Sequence, residues 1–332
     1  MQLEPGGFGV KRVEEPDSPF VAAKGGTVAC RRFWLALAAH LILSPVWLLA
    51  DWGSIAYDFD AKVHEPTQNA IIAWNGTEEI LIIATELSSS EPTKVLEVMP
   101  LPSKPTVEEG SLHAFRHSVR LINEKTTAIE GRKEGYWGSA APITDPTSAA
   151  KVAEKITIGA HDISVVQVLN PKAFVAWVEA FAARSGVPQL RVPPELLTVI
   201  GEYCNEGYVW FVFDVVSLTK DVRPKIPIKL RFKSDHLYYP LRITRTEVGQ
   251  TEVSLIVFTT TFLHKDAAVG LPTSKMEMDS YRLHIWSDEL QDVDKDIWEL
   301  LGKPRKGRMR IWKVVGEASG FQQDILFKGI WE

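Results

Sequence analysis

An uncharged run of eighteen residues, Phe33 to Ala50, constrains this chain more than any other feature. At about 1.5 Å per residue a helix of that length reaches about 27 Å, close to the hydrocarbon thickness of a bilayer. Only His40, Ser44 and Pro45 dilute the run, and it lacks the polar face that a buried amphipathic helix shows. Arg31 and Arg32 precede it and Asp51 follows, a charge order that keeps the N-terminus in the cytoplasm and sends residues 57–332 outward. Residues 31–56 therefore read as a signal peptide or a signal anchor. Ser54-Ile55-Ala56 offers a small-x-small cleavage site. Trp34 and Trp52 stand where an interfacial aromatic belt would hold an uncleaved anchor, with membrane contact through residues 33–50. Residues 1–30 read as a disordered leader, because 1–27 are rich in Gly, Pro and mixed charge without an apolar period. Since Val28 can be coded by GTG, translation starting there is the rival expectation.

The exported part has 276 residues, enough for one large or two modest domains with real cores. Residues 1–56 carry five bases and five acids, so the net charge of the rest stays at −5. A mildly acidic total argues against nucleic acid as a partner. Of the two cysteines, Cys30 precedes the apolar run, so Cys204 is left alone outside the cell and no internal disulfide can form. Cys204 reads as a small buried apolar residue at a helix end.

Along the exported chain, "AIIAWNGTEEILIIATEL" reads as a hairpin around Asn75-Gly76, the pair preferred in a two-residue type I′ turn. Asn75-Gly76-Thr77 is also a glycosylation sequon, though the turn alone explains it. "KVLEVMPLP" continues as a strand stopped by Pro100 and Pro102, and "EEGSLHAFRHSVRLINE" as a helix buried along Leu112, Phe115, Val119 and Ile122. Residues 124–150 lack a period and read as a linker, or as a flap carrying Tyr136 and Trp137. "HDISVVQVL" is a strand. "NPKAFVAWVEAFAARSG" is a helix with Asn170 as cap and Pro171 in its first position. "PPELLTVIGEYCNEG" is another helix, and "YVWFVFDVV" is apolar enough for a central strand buried on both faces. "IPIKLRFK" and "YYPLRITR" read as two amphipathic strands, and "SLIVFTTTF" as one more. Residues 288–300 read as one acidic helix with Leu290, Val293, Ile297 and Leu300 as its stripe, and two strands end the chain. The expected class is α+β, mostly antiparallel sheets with inserted helices, in two packed subdomains. The expected divisions are 57–123, a hairpin and helix; 124–150, linker or flap; 151–264, a central α+β part; and 265–332, a C-terminal extension of helix and strands.

The succession "HEPTQNAIIAWNGTEEILII", "PLPSKP", "GAHDISVVQV", "GYVWFVFDVV" and "LRFKSDHLYYPLRIT" resembles an uncharacterised family of exported prokaryotic proteins, the domain of unknown function DUF 2330. The similarity covers roughly residues 60–262. It implies an exported protein with no assigned reaction and brings no catalytic residues. Family members often carry cysteines just after the signal, and some end in a membrane helix; this chain has neither.

Nucleotide, hydrolase and metalloprotease signatures are absent from the sequence, and no cofactor is implied. Glu109, His113 and His117, spaced i, i+4 and i+8, could share a helix face as metal ligands. Both histidines project away from the buried stripe, so the expectation is a solvated face. Asp292, Asp294 and Asp296 imitate the start of a calcium loop. Ile297 and Lys303 stand where Gly and Glu are required, and an acidic helix surface is expected instead. Alternation places Lys229, Arg231, Lys233 and Arg242 on one side of the two amphipathic strands, a basic face beside the corner Asp235, His236, Tyr238 and Tyr239. Lys303, Arg305, Lys306, Arg308 and Arg310 extend it or pair with the acidic helix before them.

These patterns favour a non-enzymatic extracytoplasmic module that binds an envelope protein or an anionic polymer through the basic face and the Asp235–Tyr239 corner. One alternative is an exported hydrolase or metal-dependent enzyme using Asp235 and His236 with His64 and Glu65. Another is a subunit of a cell-surface assembly, paired through exposed strand ends.

Overall fold

The computed structural model of the chain describes residues 55–56, 63–64, 67–85, 88–89, 93–130, 151–158, 161–184, 192–218, 226–247, 249–278 and 283–329. The leader, the apolar run Phe33–Ala50, Glu65, and Tyr136 and Trp137 of the expected flap lie outside the described residues. Among the described residues no helix is long and apolar enough to cross a membrane.

In chain order the strands are β1 (Ile55–Ala56), β2 (Val63–His64), β3 (Thr67–Trp74), β4 (Glu78–Thr85), β5 (Ser88–Ser89), β6 (Thr93–Leu101) and β7 (Thr106–Glu109). Helix α1 (Leu112–Glu130), β8 (Lys151–Ile158), β9 (His161–Gln167), α2 (Pro171–Arg184), α3 (Pro194–Asn205) and β10 (Trp210–Leu218) follow. Then come β11 (Ile228–Lys233), β12 (Leu237–Tyr239), β13 (Gln250–Thr259), β14 (Glu277–Met278) and β15 (Leu283–Trp286). Last are α4 (Ser287–Val293), α5 (Lys295–Leu300), β16 (Lys306–Glu317) and β17 (Ile325–Phe327).

Two sheets carry the fold. The smaller runs β1-β6-β10-β9-β8, antiparallel throughout. The larger runs β14-β16-β13-β3-β4-β11-β7, with β15 also on β16 and only β13–β3 parallel. Period-two alternation in each strand gives every sheet two apolar faces, and the layers follow from that. Ile72, Leu81, Leu230 and Leu255 of the large sheet share one core with Met99, Val165 and Val212 of the small one. On the far face of the small sheet, Phe211, Phe213 and Val215 meet Trp177, Phe181 and Ile200 of α2 and α3. On the far face of the large sheet, Ile71, Ile80 and Phe258 meet Phe115 of α1 and Leu290 and Ile297 of α4 and α5. The order is helix, sheet, sheet, helix: an α+β fold dominated by antiparallel strands. Both sheets recruit strands from before and after α1, so the divisions at 123 and 264 do not separate them.

The strongest local signals emerge in place. β10 lies between β6 and β9 with both faces covered. Asn170 Oδ1 accepts from Ala173 N at 3.3 Å, ahead of Pro171. Burial pushes the Cys204 thiol up to about 11, in keeping with an inert apolar role.

Several local expectations are corrected. Asn75-Gly76 does not form a two-residue type I′ turn: Trp74 pairs with Glu79, Asn75 N donates to Glu78 O at 3.2 Å, and Gly76 takes a positive φ while Asn75 does not. Asn75 Oδ1 accepts from the Thr77 and Glu78 amides at 3.0 and 2.9 Å, and its Nδ2 donates to Leu300 O at 3.1 Å, which engages both ends of the sequon amide. Helix α1 runs through to Glu130, past the expected linker start at 124. "YYPLRITR" is not one strand: Pro240 ends β12 and residues Arg242–Thr246 turn into a 3-10 helix. The acidic helix is two, broken at Asp294, whose Oδ1 caps α5 by accepting from Asp296 N and Ile297 N at 2.9 and 3.1 Å.

Candidate functional site

The expected basic face does not assemble. β11 pairs with β4 and β7, while β12 pairs with β17, so the two strands meant to share that face lie apart. Lys229 Nζ sits between Asp294 Oδ2 at 2.8 Å and Asp296 Oδ2 at 2.6 Å where α5 meets the sheet, with Lys229 and Asp294 buried and Asp296 partly open to water. Those two contacts also account for Asp294 and Asp296, two of the three calcium-like aspartates. Arg231 grips Glu78 through two bonds of 3.0 and 2.8 Å. The paired guanidinium holds the Glu78 carboxyl below the ordinary range. Arg242 grips Glu206 with both Nη atoms, stacks its Cζ 4.1 Å from the Tyr203 ring centroid, and donates its backbone amide to Asp324 Oδ1. Lys233 alone of the four is exposed.

The Asp235 corner divides as well. Asp235 Oδ1 lies 2.5 Å from His236 Nδ1 in an exposed turn. Tyr238 and Tyr239 point the other way, into the core between the sheets, where Tyr238 Oη donates to Pro100 O at 3.0 Å and Tyr239 Oη to Gln68 Oε1. The Ser234 hydroxyl beside the pair donates to the His236 carbonyl at 2.6 Å and is not presented as a nucleophile. Neither Glu65 nor the His64 side chain is among the described groups.

The face of Glu109, His113 and His117, expected to be solvated, is solvated only in part, and the three do not share a helix. Glu109 ends β7 and is not on α1 at all. His113 is exposed as expected and reaches Asp292 O at 2.9 Å, but His117 is buried and bonded to Arg120 at 2.9 Å. Among the described residues no three His, Cys, Asp or Glu side chains converge as a metal site.

Acid groups that pattern reasoning missed lie deep inside. Asp214 faces Glu97 across β10 and β6, and its Oδ2 lies 2.5 Å from His161 Nδ1. Burial drives the Glu79 carboxyl well above the ordinary range, opposed by the Tyr238 amide that it accepts at 2.8 Å. Asp324 is pushed up to about 6 by burial, against the Tyr203 hydroxyl and Arg242 that favour its charge. Asp214 interrupting "VWFVFDVV" was a legible signal, since a lone carboxylate in a doubly covered strand must be paired or neutral. All these groups are closed to solvent and hold elements together.

What remains open is the edge formed by β15 and β16. Their register sets His284 opposite Arg308 and Trp286 opposite Lys306, and alternation puts all four on the face opposite Ile285 and Met309. The Arg308 guanidinium donates to His284 Nδ1 and lies 4.5 Å from the Phe262 ring centroid. Its Nε is shielded from water without an acceptor, and no acidic side chain pairs with it among the described residues. His284 Nδ1 acts as acceptor, so the ring is neutral with its proton on Nε2. Burial, then Arg308, Lys306 and Lys125, hold its pKa below the ordinary value. Lys306 Nζ stands 5.2 Å from the centroid of Trp286, which is 46% exposed. Arg305 beside them is exposed, while Lys303 is drawn back to Glu299 at 3.1 Å. Lys125 is no free cation here, since it holds Glu289 at 2.6 Å. Arg305, Lys306 and Arg308 therefore carry what Lys229 and Arg231 do not: positive charge that no acidic side chain pairs among the described residues, flanked by aromatic surface.

A family model described as an uncharacterised protein conserved in bacteria, DUF2330, matches residues 49–279. No curated protein matches the sequence. Among solved structures, baculovirus P35 aligns at 10% identity and TM-score 0.42, over 83% of this chain and 100% of that one. A mutated baculovirus P35 after caspase cleavage aligns at 8% identity and TM-score 0.39, over 81% and 100%. Likenesses of that size carry nothing over to this chain.

Proposed function

The chain belongs to the DUF2330 family of uncharacterised proteins conserved in bacteria, and from that premise we propose a non-enzymatic, extracytoplasmic module that binds an acidic polysaccharide of the cell envelope along the β15–β16 edge. One observation carries this reading: the half-buried Arg308 guanidinium has a neutral imidazole for a partner where a carboxylate would be expected. A desolvated cation without a counterion is costly, and a ligand carboxylate gripped by the guanidinium fork removes that cost. The exposed Trp286 ring beside Lys306 and Arg305 adds an apolar platform for a sugar face among cations. The uncharged run Phe33–Ala50 behind two arginines supports export.

Titration calorimetry with polygalacturonate tests the site. The wild-type chain binds, more weakly as salt rises. Arg308→Gln loses about tenfold or more, the worth of one charge-assisted bidentate contact, and Lys233→Ala binds as wild type. Equal binding by Arg308→Gln, or none by the wild type, overturns the proposal. Recovery of the unprocessed chain in the cytosol of fractionated native cells overturns the export part alone.

A further inference from the structure

The β15–β16 edge carries a second device, in the hydrogen bond between two of its half-buried groups. A guanidinium only donates, so in the bond from Arg308 to His284 the ring nitrogen Nδ1 accepts. The imidazole is therefore neutral while the edge is empty. A carboxylate oxygen that takes over the Arg308 donor displaces this bond and then faces the Nδ1 lone pair, acceptor against acceptor. A proton on Nδ1 turns that repulsion into a second charge-assisted hydrogen bond.

We infer that His284 makes binding at this edge proton-linked: as a ligand carboxylate takes the Arg308 fork, the ring takes one proton from solvent onto Nδ1 and becomes a second donor to the same carboxylate. This coupling presupposes the acidic-polysaccharide site proposed above and adds pH control to it. The groups around the ring all oppose its charge until a ligand arrives. Burial first, then Arg308 and Lys306 of β16 and Lys125 of α1, hold its pKa below the ordinary value. Arg310 follows Arg308 on the same face of β16. From α4, Glu289 is held by Lys125 at 2.6 Å and accepts from the Trp286 amide at 2.8 Å. The Phe262 ring, its centroid 5.8 Å from that of the imidazole, brings no charge. Among the described residues no acidic side chain pairs with His284, so a bound carboxylate supplies the missing negative charge and favours imidazolium. The complex then binds more protons than the free chain, and affinity rises as pH falls through the histidine range.

Titration calorimetry of the whole chain with polygalacturonate at pH 5.5 and pH 8, at one ionic strength, tests the coupling; carboxylates titrate near 4, so the polymer stays largely ionised at both. The wild type binds about fivefold or more tightly at pH 5.5, the effect of one opposite charge arriving beside an ionisable group. Heats at pH 6.5 in two buffers of different ionisation enthalpy report uptake of a fraction of a proton per site. His284→Gln, which keeps a polar side chain but cannot be protonated, binds equally at both pH values. Followed by NMR, the His284 ring titrates at higher pH in the complex than in the free chain. Wild-type binding of equal strength at both pH values, or a pH dependence that survives in His284→Gln, overturns the coupling and leaves the site standing. No binding by the wild type at either pH overturns the site and the coupling together. Should His284→Gln not fold, a ring titration unmoved by saturating polygalacturonate overturns the coupling by itself.

Discussion

The row on β11 and the edge at β15–β16 have the same composition and opposite electrostatics. Lys229 and Arg231 alternate with core residues, as Lys306 and Arg308 alternate with Gly307 and Met309. On β11 each of the two cations meets its acid from elsewhere in the fold: Lys229 finds Asp294 and Asp296, and Arg231 finds Glu78. On β16 the partner facing Arg308 is an imidazole. A cation that has an internal counterion serves as cement, and one without it leaves a charge for something external. Residue type and strand period decide which way a side chain points, while the counterion, distant in sequence, decides what it is for.

Breaking the cement gives the largest effect expected. Lys229→Ala leaves Asp294, 7% exposed at its side chain, facing the sheet with no cation. Stability falls by ~3 kcal/mol, as for a buried pair deprived of one partner, read from urea unfolding. Lys229→Ala unfolding at the wild-type urea midpoint would dissolve the distinction between the two regions.

Next in size is a pH effect in the other sealed cluster, around Arg242. Asp324 has its folded pKa raised to about 6, above the ordinary carboxylate value. Between the unfolded and folded values the native state binds more protons than the unfolded chain, so this group costs stability above pH 6 and relieves that cost as pH falls toward 4. A shift of about two units corresponds to ~2–3 kcal/mol. The stability difference between wild type and Asp324→Asn should move by that amount in favour of the wild type from pH 7 to pH 4. A pH-independent difference would show that Arg242 and Tyr203 offset the burial fully.

Much of this was readable in the sequence wherever a local rule decided the outcome. The Asn-Gly pair marked the hairpin, Asn170-Pro171 opened α2, the unbroken apolar run made β10 central, and Leu290, Val293, Ile297 and Leu300 are all buried. The readings that failed needed partners set by tertiary structure. "YYPLRITR" fits a two-residue period, yet Pro240 splits it, and both tyrosines turn inward because β12 pairs with β17. Asp294 caps a helix and neutralises Lys229 at once, which no spacing within 288–300 foretells. The β15–β16 edge was visible only as a basic cluster; that its arginine lacks an acid is a property of the fold.

A smaller step tests whether exposure grades the cement. The Arg231–Glu78 pair is 42% and 31% exposed at its side chains, so water screens it. Arg231→Ala should cost ~0.5 kcal/mol, within the usual range for exposed pairs. A loss equal to that of Lys229→Ala would mean that burial does not set the scale.

The smallest expected change in stability sharpens the contrast most. Arg308 has no carboxylate to lose, so Arg308→Gln should lower stability by no more than about 0.5 kcal/mol, and removal of the unpaired half-buried charge works in the opposite direction. His284 reports the event instead. Its pKa is held down first by burial and then by Arg308, Lys306 and Lys125. Removing the guanidinium deletes the second cause and leaves the first, so the imidazole titration followed by NMR should move up toward the ordinary histidine value without reaching it. The sign is set by charge alone: a nearby cation disfavours imidazolium, and its loss favours it. A histidine that titrates unchanged in Arg308→Gln would mean that the guanidinium charge is already neutralised, and Arg308 would then belong with Lys229 among the sealed cations.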